Sequence, residues 1–368
     1  MSQPKQVVIV GGSYAAISAL KTIAASTKTQ LSITVVAPST KSFFNVAAPR
    51  LLVDPSLIPQ TLFSLEETIQ KSTELTIHES RFIHASADSL DLDQNELTIK
   101  TSDGKKEILR YDYLVIASGA RSISPAWKLN HEKDYQYAVD EIEKLSSAIK
   151  DASSIAIVGG GPTGVETAGE LATAYKNKHI TLYTGSPAPL SAQLPNHSKS
   201  TIAKLEKLGV EIINDQRVTR TSTGVSYDGK SKDYDVVLEA QQLYPNTEFV
   251  PAAHLDSSKF LITDEHLRVP KHHNVLALGD VLSLGARSIV DLSYVQKPVF
   301  EKTVAREIGG DQRVQLKKYQ RAGSVTILVP LGPSGGVGSI SGWSVPSFLV
   351  WLTKARDYMI PRAKNLLE

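Results

Sequence analysis

The sequence of 368 residues holds no cysteine. That absence excludes disulfides, zinc thiolate sites, iron–sulfur clusters and any mechanism that uses a redox-active cysteine pair. Electrons moved by this protein must therefore pass through a bound cofactor. No run of about 18 apolar residues exists, so no segment is expected to span a bilayer. With only MSQPKQ before the first apolar run and Ser at position 2, no secretory signal, transit peptide or N-myristoylation is expected. A cytoplasmic protein is expected, with peripheral attachment to a membrane or lipid-droplet surface left open. An excess of one charge is lacking too. With 40 Lys and Arg against 38 Asp and Glu, the net +2 falls short of the basic surplus of a nucleic-acid-binding domain. His272 and His273 are adjacent rather than one helical turn apart, so no metal site is expected.

The length suits two domains and a smaller appendage. An internal repeat supports that division. VVIVGGSYAAISAL (7–20) and IAIVGGGPTGVETAGELATAY (155–175) share one layout: an apolar run, a glycine turn, then small residues at helical spacing. Each is followed by a second β-rich run, LSITVVAP (31–38) and HITLYTG (179–185), as a β-α-β unit requires. In the later copy Gly159, Gly161 and Gly164, interleaved with Pro162 and Thr163, fill the G-x-G-x-x-G positions. Those glycines permit the tight turn, the close approach of a pyrophosphate and the packing of helix on strand. In the earlier copy the same positions read Gly11, Ser13 and Ala16, interleaved with Gly12, Tyr14 and Ala15. Ala16 still allows close packing, whereas Ser13 puts a Cβ on the ligand's side, although its hydroxyl can donate to a phosphate oxygen. A single strand–glycine–helix turn also arises for structural reasons. Two of them, each in a β-α-β pattern, point to a pair of dinucleotide sites with helix N-termini aimed at phosphates.

Two further strands end in short motifs: YDYLVIASGARS (111–122) in Ala117-Ser118-Gly119, and NVLALGDVLSL (274–284) in Gly279-Asp280. The order GGxxxA, A-S-G, GGGxxG and A-x-G-D resembles the pyridine-nucleotide-disulfide-oxidoreductase type of flavoprotein over nearly the whole chain. SFFNVAAPRLLVDP (42–55) and GGVGSISGWSVPSFLVWLTKARDYMIPR (335–362) are similar to the apoptosis-inducing-factor-like branch, which includes the ferroptosis suppressor protein and its fungal relatives. The resemblance implies an α/β fold of two Rossmann-like dinucleotide-binding domains with a C-terminal cap. It implies FAD in the first turn, NADH or NADPH in the second, and transfer of electrons to a quinone. The expected divisions are 1–120 and 246–310 for FAD, 121–245 for NAD(P)H, and 311–368 for a cap with an amphipathic helix. Two other readings stay open: a flavin-bound signalling or scaffold protein with slow turnover, and a reductase of a non-quinone acceptor.

The resemblance also implies roles. Asp280 is expected to accept a hydrogen bond from the FAD ribityl chain; by itself it would read as a helix N-cap. Lys354 and Glu166 are expected to meet beside the flavin and nicotinamide rings. There a lysine stabilises negative charge on the reduced ring and a carboxylate keeps that lysine ionised. Without the resemblance, Glu166 reads as a helix-dipole residue and Lys354 as a solvated side chain. Asn45 and Arg50 are expected to touch FAD, Gln296 and Lys297 to lie at the flavin's edge, and Glu170 to be surface or packing.

Two departures stand out. The acid that usually binds a free ribose, about 20 residues past the glycines, is missing from both units: the positions read Val36-Ala37-Pro38 and Tyr183-Thr184-Gly185-Ser186. Ser39, Thr40 or Lys41 is left as a substitute at the first site, weaker FAD retention is expected, and NADH and NADPH are not separated. In the tail, Phe348, Leu349, Trp351, Leu352, Ala355, Tyr358 and Met359 fall largely on one helical stripe, with Lys354, Arg356, Arg362 and Lys364 adding positive charge. Packing on the core is the preferred reading, with Trp343 and Trp351 as candidate anchors on an anionic membrane.

Overall fold

The structure, a computed structural model, describes residues 3–368. Its central strand, Lys5–Val10, buries Val7, Val8, Ile9 and Val10 in succession. A continuous apolar run belongs in a parallel sheet covered on both faces. That strand pairs in parallel with Leu31–Ala37 on one side and Tyr113–Ile116 on the other. The full sheet has eight strands, in the order Arg268–Val269, His272–Ala277, Tyr113–Ile116, Lys5–Val10, Leu31–Ala37, Glu79–Asp91, Glu96–Thr101 and Lys106–Arg110. Strand Glu79–Asp91 runs parallel to Leu31–Ala37 at its start, then passes an irregularity between Ala87 and Ser89 and pairs antiparallel with Glu96–Thr101.

The second β-α-β unit builds a separate four-stranded sheet, ordered Val210–Ile213, His179–Tyr183, Ser154–Val158 and Val236–Glu239, with all pairs parallel. The chain crosses between the sheets on two strands, Ala120–Ser122 outward and Leu243–Pro245 back, and these pair antiparallel. Side chains lock the crossing. Ser118 Oγ donates to the Asn246 carbonyl at 2.7 Å and Asn246 Nδ2 donates to the Ser118 carbonyl at 2.8 Å. The strand His272–Ala277 then returns to the first sheet beside Tyr113–Ile116.

After the helix Lys297–Glu307 comes an antiparallel sheet of Ile327–Pro330, Gly336–Ile340 and Trp343–Ser344, followed by the tail. The tail is not the single amphipathic helix expected. It is broken into Ser347–Val350, a π turn at Trp351–Ala355, a 3-10 turn at Ile360–Arg362 and Ala363–Leu367. Pro361 has no N–H to continue the hydrogen-bond ladder. Tyr358 and Met359 instead reverse the chain in the left-handed region, with φ of 50° and 60°. The stripe divides accordingly: Ala355 and Tyr358 are buried, while Phe348, Trp351 and Leu352 join Trp343 on the surface. Among the described residues no helix is long and apolar enough to cross a membrane.

Candidate active site

The two glycine turns open into one cavity of about 1220 Å³. Helix Tyr14–Ser26 starts at the first turn and helix Pro162–Ala174 at the second. Gly11 and Gly159 both have φ of +130°, and a side chain on either would collide with a neighbouring strand's carbonyl, that of Ala117 or of Ala240. The first glycine of each turn is therefore required by the fold itself. The next position behaves differently. Gly161 is extended, and a Cβ there would have no protein atom within 4 Å. Glycine at that position serves the ligand, and Ser13, extended at the equivalent place, costs the backbone nothing. Its side chain makes no cap hydrogen bond, and Ser13 lines the cavity. The first cradle thus fits a pyrophosphate that accepts a hydroxyl at the price of some close approach. Ser13→Gly is expected to retain more flavin through exhaustive dialysis, read as flavin absorbance per chain; equal retention would remove Ser13 as the cause of looseness.

Gly12, Tyr14, Ala15, Asn45, Ala117, Ser118, Gly119, Gly160, Pro162, Thr163, Gly279 and Asp280 also line this cavity. Ala16 and Gly164 do not. Ala16 is buried in the core, and a Cβ on Gly164 would strike the Gly159 carbonyl, so both serve helix-on-strand packing. Asn45 bridges two walls, accepting from Tyr14 Oη at 3.3 Å and donating to the Trp127 carbonyl at 2.9 Å. Asp280 forms an ion pair with Lys128, a cavity residue not anticipated from the sequence. Of the three substitutes for the missing ribose acid, Ser39 borders the cavity. Thr40 is held by Asp134 and Lys41 lies over the Tyr135 ring at 4.5 Å.

Lys354 and Glu166, 188 residues apart, meet in the cavity wall: Lys354 Nζ donates to Glu166 Oε1 at 2.6 Å. Lys354 comes from the π turn, whose wider winding changes the face on which the following residues emerge. Burial pushes the Glu166 carboxyl above its ordinary range, and Lys354 offsets part of that push. One helical turn on, Glu170 is buried, which is the packing alternative of the two left open for it.

Glu170 takes Arg50. Arg50 Nε lies 2.5 Å from Glu170 Oε2, Nη2 donates to the Ala355 carbonyl at 3.0 Å, and the guanidinium stands 4.9 Å from the centre of the Tyr358 ring. Arg50, expected to touch FAD, is thus held against Glu170 and does not line the cavity. A guanidinium drawn out of water needs a carboxylate, and Glu170 supplies it away from the cavity wall. Gln296, expected at the flavin's edge, also does not line the cavity. It is buried in a second π turn, Leu292–Gln296, where Oε1 accepts from the Gly279 N–H at 2.6 Å and Nε2 donates to Asp291 at 2.7 Å. It braces the Gly279-Asp280 turn from behind. Lys297 faces elsewhere, half-exposed and 3.9 Å from Glu301, beside Lys21 and away from the main cavity. It starts a helix, and its side chain follows the outer face of that helix.

Comparison with known proteins places this geometry. A family model described as pyridine nucleotide-disulphide oxidoreductase matches residues 5–305. The chain is 30% identical to oxidoreductase phnG of Penicillium herquei, covering 98% of this chain and 95% of that protein. It is 28% identical to ferroptosis suppressor protein 1 of Homo sapiens, over 96% and 93% of the two chains. The fold is shared with the sulfide:quinone oxidoreductase of Aquifex aeolicus at a TM-score of 0.74 and 17% identity, covering 98% of this chain and 92% of that one. With no cysteine, this chain cannot run the disulfide chemistry in the family's name. It belongs to the pyridine nucleotide-disulphide oxidoreductase family and is an oxidoreductase of the flavoprotein type.

Proposed function

We propose that the protein is an FAD-dependent NAD(P)H:quinone oxidoreductase. The observation that carries this reading is the Lys354–Glu166 pair in the wall of one cavity onto which both glycine turns open. In this reading residues 1–120 and 246–310 hold FAD, 121–245 hold the nicotinamide dinucleotide, and 311–368 cap the site. The flavin, when bound, supplies hydride acceptance and the storage of two electrons. The protein binds, orients and tunes. The helix N-termini behind Gly11–Ser13 and Gly159–Gly161 hold the two pyrophosphates, and Asp280 holds the ribityl hydroxyls. Lys354 places a positive charge where negative charge develops, and Glu166 fixes its ammonium in position.

A hydrophobic acceptor suits the surface near Lys354. Trp343, Phe348 and Leu352 are 80%, 63% and 49% exposed, and the Arg356 guanidinium stands 5.8 Å from the centre of the Trp351 ring. Such a patch can receive an isoprenoid chain or rest on a lipid surface.

The test is the visible spectrum of the purified protein during anaerobic addition of NADH and then NADPH, followed by a quinone. A flavin spectrum that bleaches with donor and returns with quinone, at a turnover of about 1 to 10³ per second, is the expected result. A colourless protein that FAD does not reconstitute would overturn the reading. Bleaching with turnover far below that range would favour the flavin-bound scaffold instead.

A further inference from the structure

The donor-binding unit lacks the acid that would hold a free ribose, and the structure shows what stands there in its place. Strand His179–Tyr183 runs into Thr184-Gly185-Ser186. Three backbone hydrogen bonds stitch this end to the segment after Val210–Ile213: Thr184 N–H to the Ile213 carbonyl at 2.9 Å, Gln216 N–H to the Thr184 carbonyl at 2.9 Å, and Asp215 N–H to the Ser186 carbonyl at 3.0 Å. The register sets Arg217 across Gly185. A Cβ on Gly185 would lie 3.0 Å from Arg217 Cγ and 3.8 Å from Nε. Gly185 itself is part of the cavity wall, along with Gly159, Gly160, Gly161 and Gln193.

The charges nearby leave this arginine available. Glu211 is engaged by Lys232 at 3.3 Å and His179 at 3.1 Å, and Asp228 accepts from Gln216 at 3.2 Å. Arg217 is exposed and enters no ion pair among the described residues. The acid of this segment, Asp215, bonds Ser186 through its backbone N–H; at the strand end itself, Thr184-Gly185-Ser186 carries no carboxylate and Arg217 lies against Gly185. A carboxylate there accepts from a ribose 2′-hydroxyl and repels a 2′-phosphate; a guanidinium does the reverse, with a planar fork that matches a phosphate.

We propose that Arg217 is the specificity residue of the second site and selects NADPH over NADH by binding the 2′-phosphate. This deepens the pyridine-nucleotide reading of the second turn and rests on it. Gly185 contributes by leaving that space free of a side chain, so that the arginine stem covers the strand end. An exposed contact of this kind is screened by salt, so selectivity declines as ionic strength rises.

The experiment has two arms on the full-length protein. In the first, adenosine 2′,5′-bisphosphate and adenosine 5′-monophosphate are titrated calorimetrically into wild type, Arg217→Ala and Arg217→Lys. The bisphosphate is expected to bind wild type at least about tenfold tighter, with Arg217→Ala losing most of that preference and Arg217→Lys keeping part of it. In the second, kcat/KM is measured for both donors, and Arg217→Ala is expected to cut the NADPH:NADH ratio by about 10- to 100-fold. Equal binding of the two adenosine phosphates, an NADH preference in wild type, or an equal fall for both donors in Arg217→Ala would overturn the proposal. Were neither donor to bleach the flavin while the bisphosphate still bound through Arg217, the phosphate site would stand and the oxidoreductase reading would fail.

Discussion

Replacing Lys354 by methionine is expected to lower turnover with saturating donor and quinone by about 10²- to 10³-fold, with flavin content unchanged. Lys354 Nζ is the charged end of the tail's π turn, and it lies 2.6 Å from Glu166. Methionine keeps the volume and removes the charge, so packing is preserved while the electrostatic contribution is lost. The change also strands Glu166, whose carboxyl burial already pushes above the ordinary range near 4.5. A carboxyl that holds its proton more tightly when folded favours the folded state at low pH. That contribution is lost as pH rises from the ordinary carboxylate range through the raised value. In Lys354→Met the raised value climbs further, so the loss of stability extends to higher pH. Adding Glu166→Gln removes the stranded group: the double variant is expected to recover the stability and to lose the pH dependence that Glu166 contributes, but not to recover the turnover. Stopped-flow reduction and denaturant melts across pH distinguish the two effects. Turnover within twofold of wild type in Lys354→Met would end the role assigned to this residue.

The second large effect concerns stability. Arg50→Met or Glu170→Leu alone is expected to destabilise the protein by ~3–5 kcal/mol, because each leaves one buried charge without its partner. The side chains are 15% and 3% exposed, so water cannot take the partner's place. The double variant replaces both charges by apolar groups of similar size and is expected to regain most of the loss. Arg50 also donates to the Ala355 carbonyl at the end of the π turn carrying Lys354. Turnover is therefore expected to stay low in the double variant even where stability returns, because that turn has lost the hydrogen bond from Arg50 that helps to place it. A double variant as unstable as the singles, read from denaturation midpoints, would show that the pair holds its surroundings by shape rather than by charge.

The parts of this molecule that were legible in its sequence share a local cause. A glycine turn between a strand and a helix encodes its backbone geometry within a few residues, so Gly11 and Gly159 could be read without knowledge of the rest. The Lys354–Glu166 meeting spans 188 residues and was legible only through resemblance to relatives. Partners at that range leave no local trace, which is why Glu170 stayed open between surface and packing, its pairing with Arg50 was not foreseen, and Lys128 was not read at all. Both π turns were invisible for another reason. Trp351–Ala355 and Leu292–Gln296 depart from the 3.6-residue period on which any helical stripe is drawn. Arg217 reaches Gly185 from the segment after Val210–Ile213, so nothing in the sequence around Gly185 announces it.

The paired crossing strands set how this molecule bears load. A single linker lets one body swivel about its bonds, but Ala120–Ser122 and Leu243–Pro245 are bonded edge to edge and pinned at the base by Ser118 and Asn246. Twisting one sheet against the other would shear both strands together, so torsion is resisted while bending across the flat of the ribbon is not. Motion of one sheet against the other is thus channelled into bending across the flat of the ribbon, the one direction in which the spacing between the two glycine turns can change.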